Sequence, residues 1–246
     1  MTEPTRFPNA PITEAVLDIR VRLPKESDLT RLERFGDQIR EQYPQKRMRK
    51  AWQGELRFTP AQGLEVDPKS GETIGFLFAS DDNRQVVQAR LDGFAFSRLK
   101  PYVSWESLRD EARTLWERYR ELANPEAITR VALRYINRIE LPLPFSDFKD
   151  YILTFPDIAP GLPQGLSYFL TRLVMPRADI EATAIINETM EQPTERVPLI
   201  FDIDVFRIGA FDVGGDEYWR YFEQLRNFKN EIFFRSMTDK AKELFQ

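Results

Sequence analysis

The sequence contains no cysteine and no histidine. The absence of cysteine excludes disulfides, thiolate nucleophiles and cysteine-ligated zinc or iron–sulfur sites. The absence of histidine excludes Ser-His and Cys-His catalysis and removes the commonest transition-metal ligand. Any catalysis would therefore depend on carboxylates, lysine, tyrosine, or an oxygen-bound cation such as Mg²⁺.

Glycine is scarce as well, at 11 of 246 residues, and neither GxGxxG nor GxxxxGK[ST] occurs. Phosphate-binding loops need such glycines, so no nucleotide cofactor, and no other cofactor, is predicted. The uninterrupted run of roughly 18 apolar residues that a membrane span requires does not occur either. The start of the chain, MTEPTRFPNAPITEA, lacks the apolar centre of a signal peptide. These features predict a soluble cytoplasmic protein without a membrane partner.

Charge of neither sign dominates, since 35 basic and 39 acidic residues are interspersed and the net charge is −4. That balance argues against whole-molecule attraction to nucleic acid. One stretch, QKRMRKAW at 45–52, combines four basic residues with Trp52, as in contacts to single-stranded nucleic acid. A solvated loop between a helix and a strand is the favoured interpretation of this stretch.

The pattern along the chain predicts an α+β fold with a substantial core, given 42% hydrophobic residues and 19 Phe. Strands are predicted over 12–23 and 128–141 among others, and Asp92-Gly93 is a hairpin signal between two further strands. Helices are predicted over 27–43 (capped by Ser27), 104–124 (capped by Ser104) and 216–235, with a short helix within FSDFKDYILTF and a terminal helix TDKAKELF capped by Thr238. Two strand–helix–strands–helix halves follow, residues 1–125 and 126–246, forming one mainly antiparallel sheet backed by helices. The order resembles the TATA-binding-protein-like duplication, with a generic α+β arrangement as the alternative.

Four segments resemble an uncharacterised, sporadically distributed prokaryotic protein family: APITEAVLDIR at 10–20, LRYINRI at 133–139, FDIDV at 201–205 and KNEIFFRSMTDKA at 229–241. They span nearly the whole chain. The family has no assigned activity, substrate or catalytic residues, so the resemblance implies no site residue. A patchy distribution suits a horizontally exchanged accessory gene better than core metabolism.

One residue interrupts the apolar side of the strand RVALRYINRIEL at 130–141, namely Asn137. A buried amide needs hydrogen-bonding partners. The favoured interpretation is structural, in which the amide ties the strand to a loop, the last helix or the chain end. In the alternative, Asn137 lines a pocket and binds a polar ligand.

Two aspartates, Asp202 and Asp204, form the best acidic pair, because residues i and i+2 of a strand share a face about 6.5–7 Å apart. They could share a cation or divide acid and base roles, although pairing with Arg134 or Arg138 is favoured. The outer faces of two strands carry both charge signs: Glu14, Asp18, Arg20, Arg22, Arg130, Arg134, Arg138 and Glu140. Cross-strand ion pairs are the simplest interpretation, and arginines gripping a carboxylate or phosphate are the alternative.

These observations together predict a non-enzymatic binding or regulatory protein. If all helices cover one side of the sheet, the other side is an open, arginine-rich surface with Ile136 and Phe206 among the charges. The predicted binding residues are Arg20, Arg134, Asn137, Arg138, Asp202 and Asp204, with no metal ligand. The partner would be a protein or a small molecule, with self-association possible and nucleic acid disfavoured. The alternatives are a Mg²⁺- or Mn²⁺-dependent enzyme using Asp202 and Asp204, or a nucleic-acid-binding protein.

Overall fold

The structure, a computed structural model, describes residues 7–50 and 72–246, together with the backbone of 54–59 and 63–68. It has the predicted α+β fold, in which helices accompany a nine-stranded antiparallel sheet. The strands are β1 (Ile12–Arg22), β2 (Gln45–Lys50), β3 (Gly54–Thr59), β4 (Gly63–Pro68), β5 (Thr73–Ala79), β6 (Gln85–Arg90), β7 (Gly93–Leu99), β8 (Ala127–Pro142), β9 (Leu170–Arg177), β10 (Ala182–Met190) and β11 (Arg196–Phe211). The helices are α1 (Leu29–Ile39), α2 (Trp105–Ala123), α3 (Glu217–Ser236) and α4 (Asp239–Glu243).

The chain follows the same path through the sheet twice. The strand order is β2-β5-β6-β7-β1-β8-β11-β10-β9, with β3 and β4 paired separately. In each half the first strand, β1 or β8, lies beside the last strand of that half, β7 or β11, and the preceding strands continue outward. The antiparallel pair β1–β8 joins the halves into one sheet. The first half contributes one strand more to the sheet, β2, and the structural duplication stays a prediction.

The two halves differ where the sequence predicted a short helix. The segment FSDFKDYILTF forms only a 3-10 turn at Phe148–Asp150, where the first half has α1. Pro142, Pro144 and Pro156 flank the segment, and proline limits helix length because it lacks the N–H donor. The prediction of a helix there was wrong.

Helix ends agree with most of the capping residues read from the sequence. Ser104 accepts a hydrogen bond from the Ser107 N–H at the start of α2, and Thr238 does the same for Ala241 at α4. For α1 the cap is Asp28, whose side chain accepts from the Thr30 N–H, and not Ser27. Aspartate and serine are comparable caps, so the sequence alone did not separate neighbouring candidates.

The basic run at 46–50 was predicted as a solvated loop, but it forms β2, the last strand at one end of the sheet. Pairing with β5 supplies its backbone hydrogen bonds. Charged side chains are typical of an edge strand because they discourage pairing with a second molecule. Trp52, the aromatic part of the same motif, lies outside the described residues.

The helices α1, α2 and α3 cover one side of the sheet. Side chains at odd positions of β1 and β8 point toward them and are buried, as with Leu17 and Leu133. Across this layer the Trp116 indole N–H of α2 donates to the Tyr218 hydroxyl of α3 at 2.8 Å, which links the two halves. Among the described residues, no helix is long and apolar enough to cross a membrane.

Candidate functional site

The side of the sheet opposite the helices carries the even-numbered residues of β1, β8 and β11. We call it the open face. The register places Arg134 between Val16 of β1 and Asp204 of β11. Because the three strands belong to one sheet, the charges predicted on separate strands lie on one continuous surface.

Asp18 is the hub of a connected ion-pair network on this face. Its carboxylate accepts hydrogen bonds from Arg90 at 2.6 Å, Arg130 at 3.2 Å and Arg20 at 3.2 Å. Arg90 also donates to Asp92 at 3.0 Å, and Arg20 is hydrogen-bonded to the same Asp92. The Arg90 side chain is only 3% exposed and that of Asp18 only 14%. The Arg90–Asp18 pair at the centre of the network is therefore much better shielded from solvent than an ordinary surface ion pair.

The predicted acidic pair lies next to this hub, and arginines occupy both carboxylates. Arg134 donates Nε–H and Nη2–H to the two oxygens of Asp202, both at 2.8 Å, and Asn187 adds a third donor at 3.1 Å. Arg130 contacts both oxygens of Asp204 at 2.9 and 3.2 Å. Burial nevertheless raises the pKa of Asp204 above its ordinary value, against the opposing effect of Arg130. Within the described part of the chain, no group of three or more carboxylates is placed to hold a metal ion.

Arg138 lies farther along β8 and belongs to a separate cluster. It is hydrogen-bonded to Glu140 and to Glu191, the latter at 3.0 Å. Arg22, at the other end of the face, pairs with Glu126 at 3.1 Å. The structure therefore connects Arg20 to Asp204 through Asp18 and Arg130, and it places the Arg134–Asp202 pair beside them on the same face. Arg138 contacts neither group.

The apolar residues predicted among these charges do border them. The Arg130 guanidinium carbon lies 4.5 Å from the Phe206 ring centroid, a distance suited to a cation–π contact. Ile136 is directly opposite Asp202 in the register and is partly exposed. An arginine held between a carboxylate and an aromatic ring has little freedom to rearrange.

Several members of the open face were missed from the sequence, among them Arg90, Asp92, Asn187 and Arg172. Arg172 donates to the side-chain amide oxygen of Asn187 at 3.0 Å and so extends the face toward its far edge. The Asp92-Gly93 turn was recognised as a hairpin signal. That hairpin register places Arg90 opposite Gly93 of β7, but it does not indicate that β7 pairs with β1, where Asp18 lies.

The basic residues of β2 are divided between the two sides of the sheet. Lys46 pairs with Glu33 of α1 at 2.7 Å and lies 4.3 Å from the Phe76 ring centroid, on the helix side. Arg49 points to the open face, where burial and the nearby charges of two other arginines lower its pKa. The alternation of the strand therefore breaks up the apparent basic patch.

Asn137 lies on the helix side and is 2% exposed. Its amide donates to the Phe201 carbonyl of β11 at 2.9 Å and to the Tyr135 carbonyl at 3.4 Å. The expected partner was a loop, the last helix or the chain end, whereas the observed partner is the neighbouring strand. Asn137 also lines a cavity of about 190 Å³ together with Lys229, so the two interpretations of this residue are compatible.

Replacing Asn137 by leucine should lower the free energy of unfolding by about 1–2 kcal/mol, because the buried Phe201 carbonyl loses a donor. Urea unfolding followed by circular dichroism would measure the change. Thr183→Val, on the partly exposed side of β10, serves as a control and should shift stability by less than about 0.5 kcal/mol. Equal stability of Asn137→Leu and the unmodified protein would contradict a structural role for the amide.

Comparison with protein-family models and with curated proteins gives no match for this sequence. The resemblance to a sporadically distributed prokaryotic family therefore stays a prediction.

Proposed function

We propose that the protein is a non-enzymatic binding or regulatory protein of the cytoplasm that uses the open face to hold an acidic group of its partner. The observation that carries the proposal is the state of Arg134. Its side chain is 49% exposed while its carboxylate partner, Asp202, is 8% exposed. The guanidinium is thus held on its inner side by the buried Asp202 carboxylate and is exposed to solvent on its outer side.

The geometry of Arg134 suits recognition of an anion. Arginine has five N–H donors, and only two of them are directed at Asp202. The remaining donors form no hydrogen bond within the described residues. Because two hydrogen bonds already orient the side chain, a partner's carboxylate or phosphate would meet a donor set that needs little further ordering.

The same geometry disfavours the alternative of a Mg²⁺- or Mn²⁺-dependent enzyme. A cation at Asp202 would have to displace Arg134 and Asn187 from the carboxylate oxygens. The positive charges of Arg134 at Asp202 and of Arg130 at Asp204 would oppose a divalent ion. Calorimetric titration with MgCl₂ and MnCl₂ tests this directly, and tight binding abolished by Asp202→Asn would overturn the non-enzymatic proposal.

Replacing Arg134 by glutamine should weaken partner binding by at least tenfold, since an exposed arginine anchor is exchanged for a neutral side chain. The measurement is affinity capture from a nuclease-treated lysate of the source cell, followed by quantitative mass spectrometry and a binding assay with the captured protein. Arg220→Gln, whose arginine is 78% exposed on α3, is the matched control and should bind as the unmodified protein does.

Two results would contradict this prediction. The first is capture of the same partner in equal amount by the protein with Arg134→Gln and by the protein with Arg220→Gln. The second is loss of all binding after nuclease treatment, which would favour the nucleic-acid alternative.

A further inference from the structure

A second candidate site lies on the helix side of the sheet, away from the open face. It is a cavity of about 190 Å³ between residues 7–12, β8, the beginning of α2 and the C-terminal half of α3. Its wall is largely aromatic and includes Phe7, Tyr102, Tyr135, Phe233 and Phe234. The cavity is small, which limits an occupant to a few carbon atoms or a single ring.

Lys229 of α3 lines this cavity, and none of the residues that the structure describes is its counter-ion. The residue is 9% exposed, and its ammonium lies 4.0 Å from the Tyr135 ring centroid. Throughout the described part of the chain, no carboxylate pairs with it and no acceptor is hydrogen-bonded to it. An uncompensated buried cation is unfavourable, so an apolar residue at this position would be more stable unless the amine binds a ligand.

The charged and titratable groups around Lys229 do not supply the missing anion. Arg226, one turn earlier on α3, adds positive charge, and its own partners Glu106 and Glu223 lie 3.8 and 3.6 Å from it. Tyr102 and Tyr135 share a hydroxyl–hydroxyl contact of 3.0 Å. Burial and then Arg226 lower the pKa of Lys229 to about 7, and burial raises the pKa of Tyr102 and of Tyr135.

We propose that this cavity binds a small organic carboxylate, with the carboxylate on the Lys229 amine and an apolar or aromatic body among Phe7, Phe233 and Phe234. The positive charges of Lys229 and Arg226 select an anion. The aromatic wall selects an apolar body over a strongly hydrated ion such as inorganic phosphate, which would leave most of its oxygens without donors.

Paired ligands that differ only in charge test the proposal. Isothermal calorimetry would compare benzoate with benzamide, phenylacetate with phenylacetamide, and isovalerate with isovaleramide. We expect at least one carboxylate to bind ten times more tightly than its amide. At pH 8 the free amine is mostly neutral, so binding should also take up a proton, measured as a dependence of the heat on the ionisation enthalpy of the buffer.

Substitution locates the effect. Lys229→Met keeps an unbranched stem and should abolish both the preference for the carboxylate and the proton uptake, whereas Lys25→Met, at an exposed lysine, should preserve both. The proposal is overturned if no carboxylate binds better than its amide, if binding takes up no proton, or if Lys229→Met retains the preference. The first two outcomes use the unmodified protein and so do not depend on the variant folding.

Discussion

Asp18→Ala is expected to lower the free energy of unfolding by about 3 kcal/mol, the lower part of the range for breaking a buried ion pair. The change removes the shared acceptor of Arg20, Arg90 and Arg130. The effect is largest at Arg90, because its side chain is 3% exposed and cannot turn to solvent when it loses this partner. It keeps Asp92 at 3.0 Å, which is why the upper part of the range is not expected. Chemical denaturation at pH 7 measures the loss.

The matched control is Asp37→Ala. Asp37 is 70% exposed and its partner Arg40 is 3.7 Å away, so this substitution should shift stability by less than about 0.5 kcal/mol. Asp18→Asn keeps the shape and part of the hydrogen bonding, and an intermediate loss is expected. If Asp18→Ala lowered the free energy of unfolding no more than Asp37→Ala, solvent would be screening the network. The ion pairs of the open face would then not hold its side chains in a fixed arrangement.

The strands that follow a clean alternation were predictable because alternation reports directly which side is buried. β1 and β8 start and end within a few residues of the predicted segments, and their odd-numbered side chains form the core. The single apolar stripe of each major helix predicts that it covers a face of the sheet, but not that all three cover the same face. An open face could therefore be predicted only on that condition, and its ion pairs could not be predicted.

The partners of the network required the register between strands far apart in sequence. Asp18 contacts Arg90 across 72 positions and Arg130 across 112. Charge alternation indicates which residues share a side, and it does not indicate which strand is the neighbour. The basic run of β2 was misinterpreted for a related reason, since a charged edge strand and a charged loop have similar compositions.

Lys229 was missed although the helical pattern contained a signal for it. It stands four residues after Leu225 and three before Ile232, both buried residues of the apolar stripe of α3. Residues at these spacings share a helix face, so a lysine at 229 had to enter the same layer. The stripe was interpreted as continuous, and the interruption, which is the informative residue, was passed over.

Stability should rise with pH between about 7 and 9.5, and Lys229 should be the cause. Its pKa is about 7 in the folded protein, whereas an unfolded lysine titrates near 10.4. At a pH between these two pKa values the unfolded chain holds one more proton than the folded protein, so raising the pH favours the folded protein. The expected slope approaches about 1.4 kcal/mol per pH unit. Protonated Lys229 destabilises the folded protein. This destabilisation is fully present below the pKa of the folded protein and disappears as the pH approaches the pKa of lysine in the unfolded chain.

Urea denaturation at half-unit intervals of pH would measure the slope, and Lys229→Met should flatten it and be more stable than the unmodified protein at pH 7. Measurements must stop near pH 9.5. Burial raises the pKa of Tyr102 and Tyr135 in the folded protein, so ionisation of tyrosine in the unfolded chain favours unfolding above about pH 10. Lys25→Met should keep the full slope. A flat profile in the unmodified protein would mean that the Lys229 amine stays charged in the cavity and that water or a bound ion stabilises this charge.

Addition of a bound carboxylate should also flatten the profile, because the anion keeps Lys229 protonated in the folded state as it is in the unfolded one. The same titration, with and without ligand, therefore connects the stability of the protein to the occupancy of the cavity.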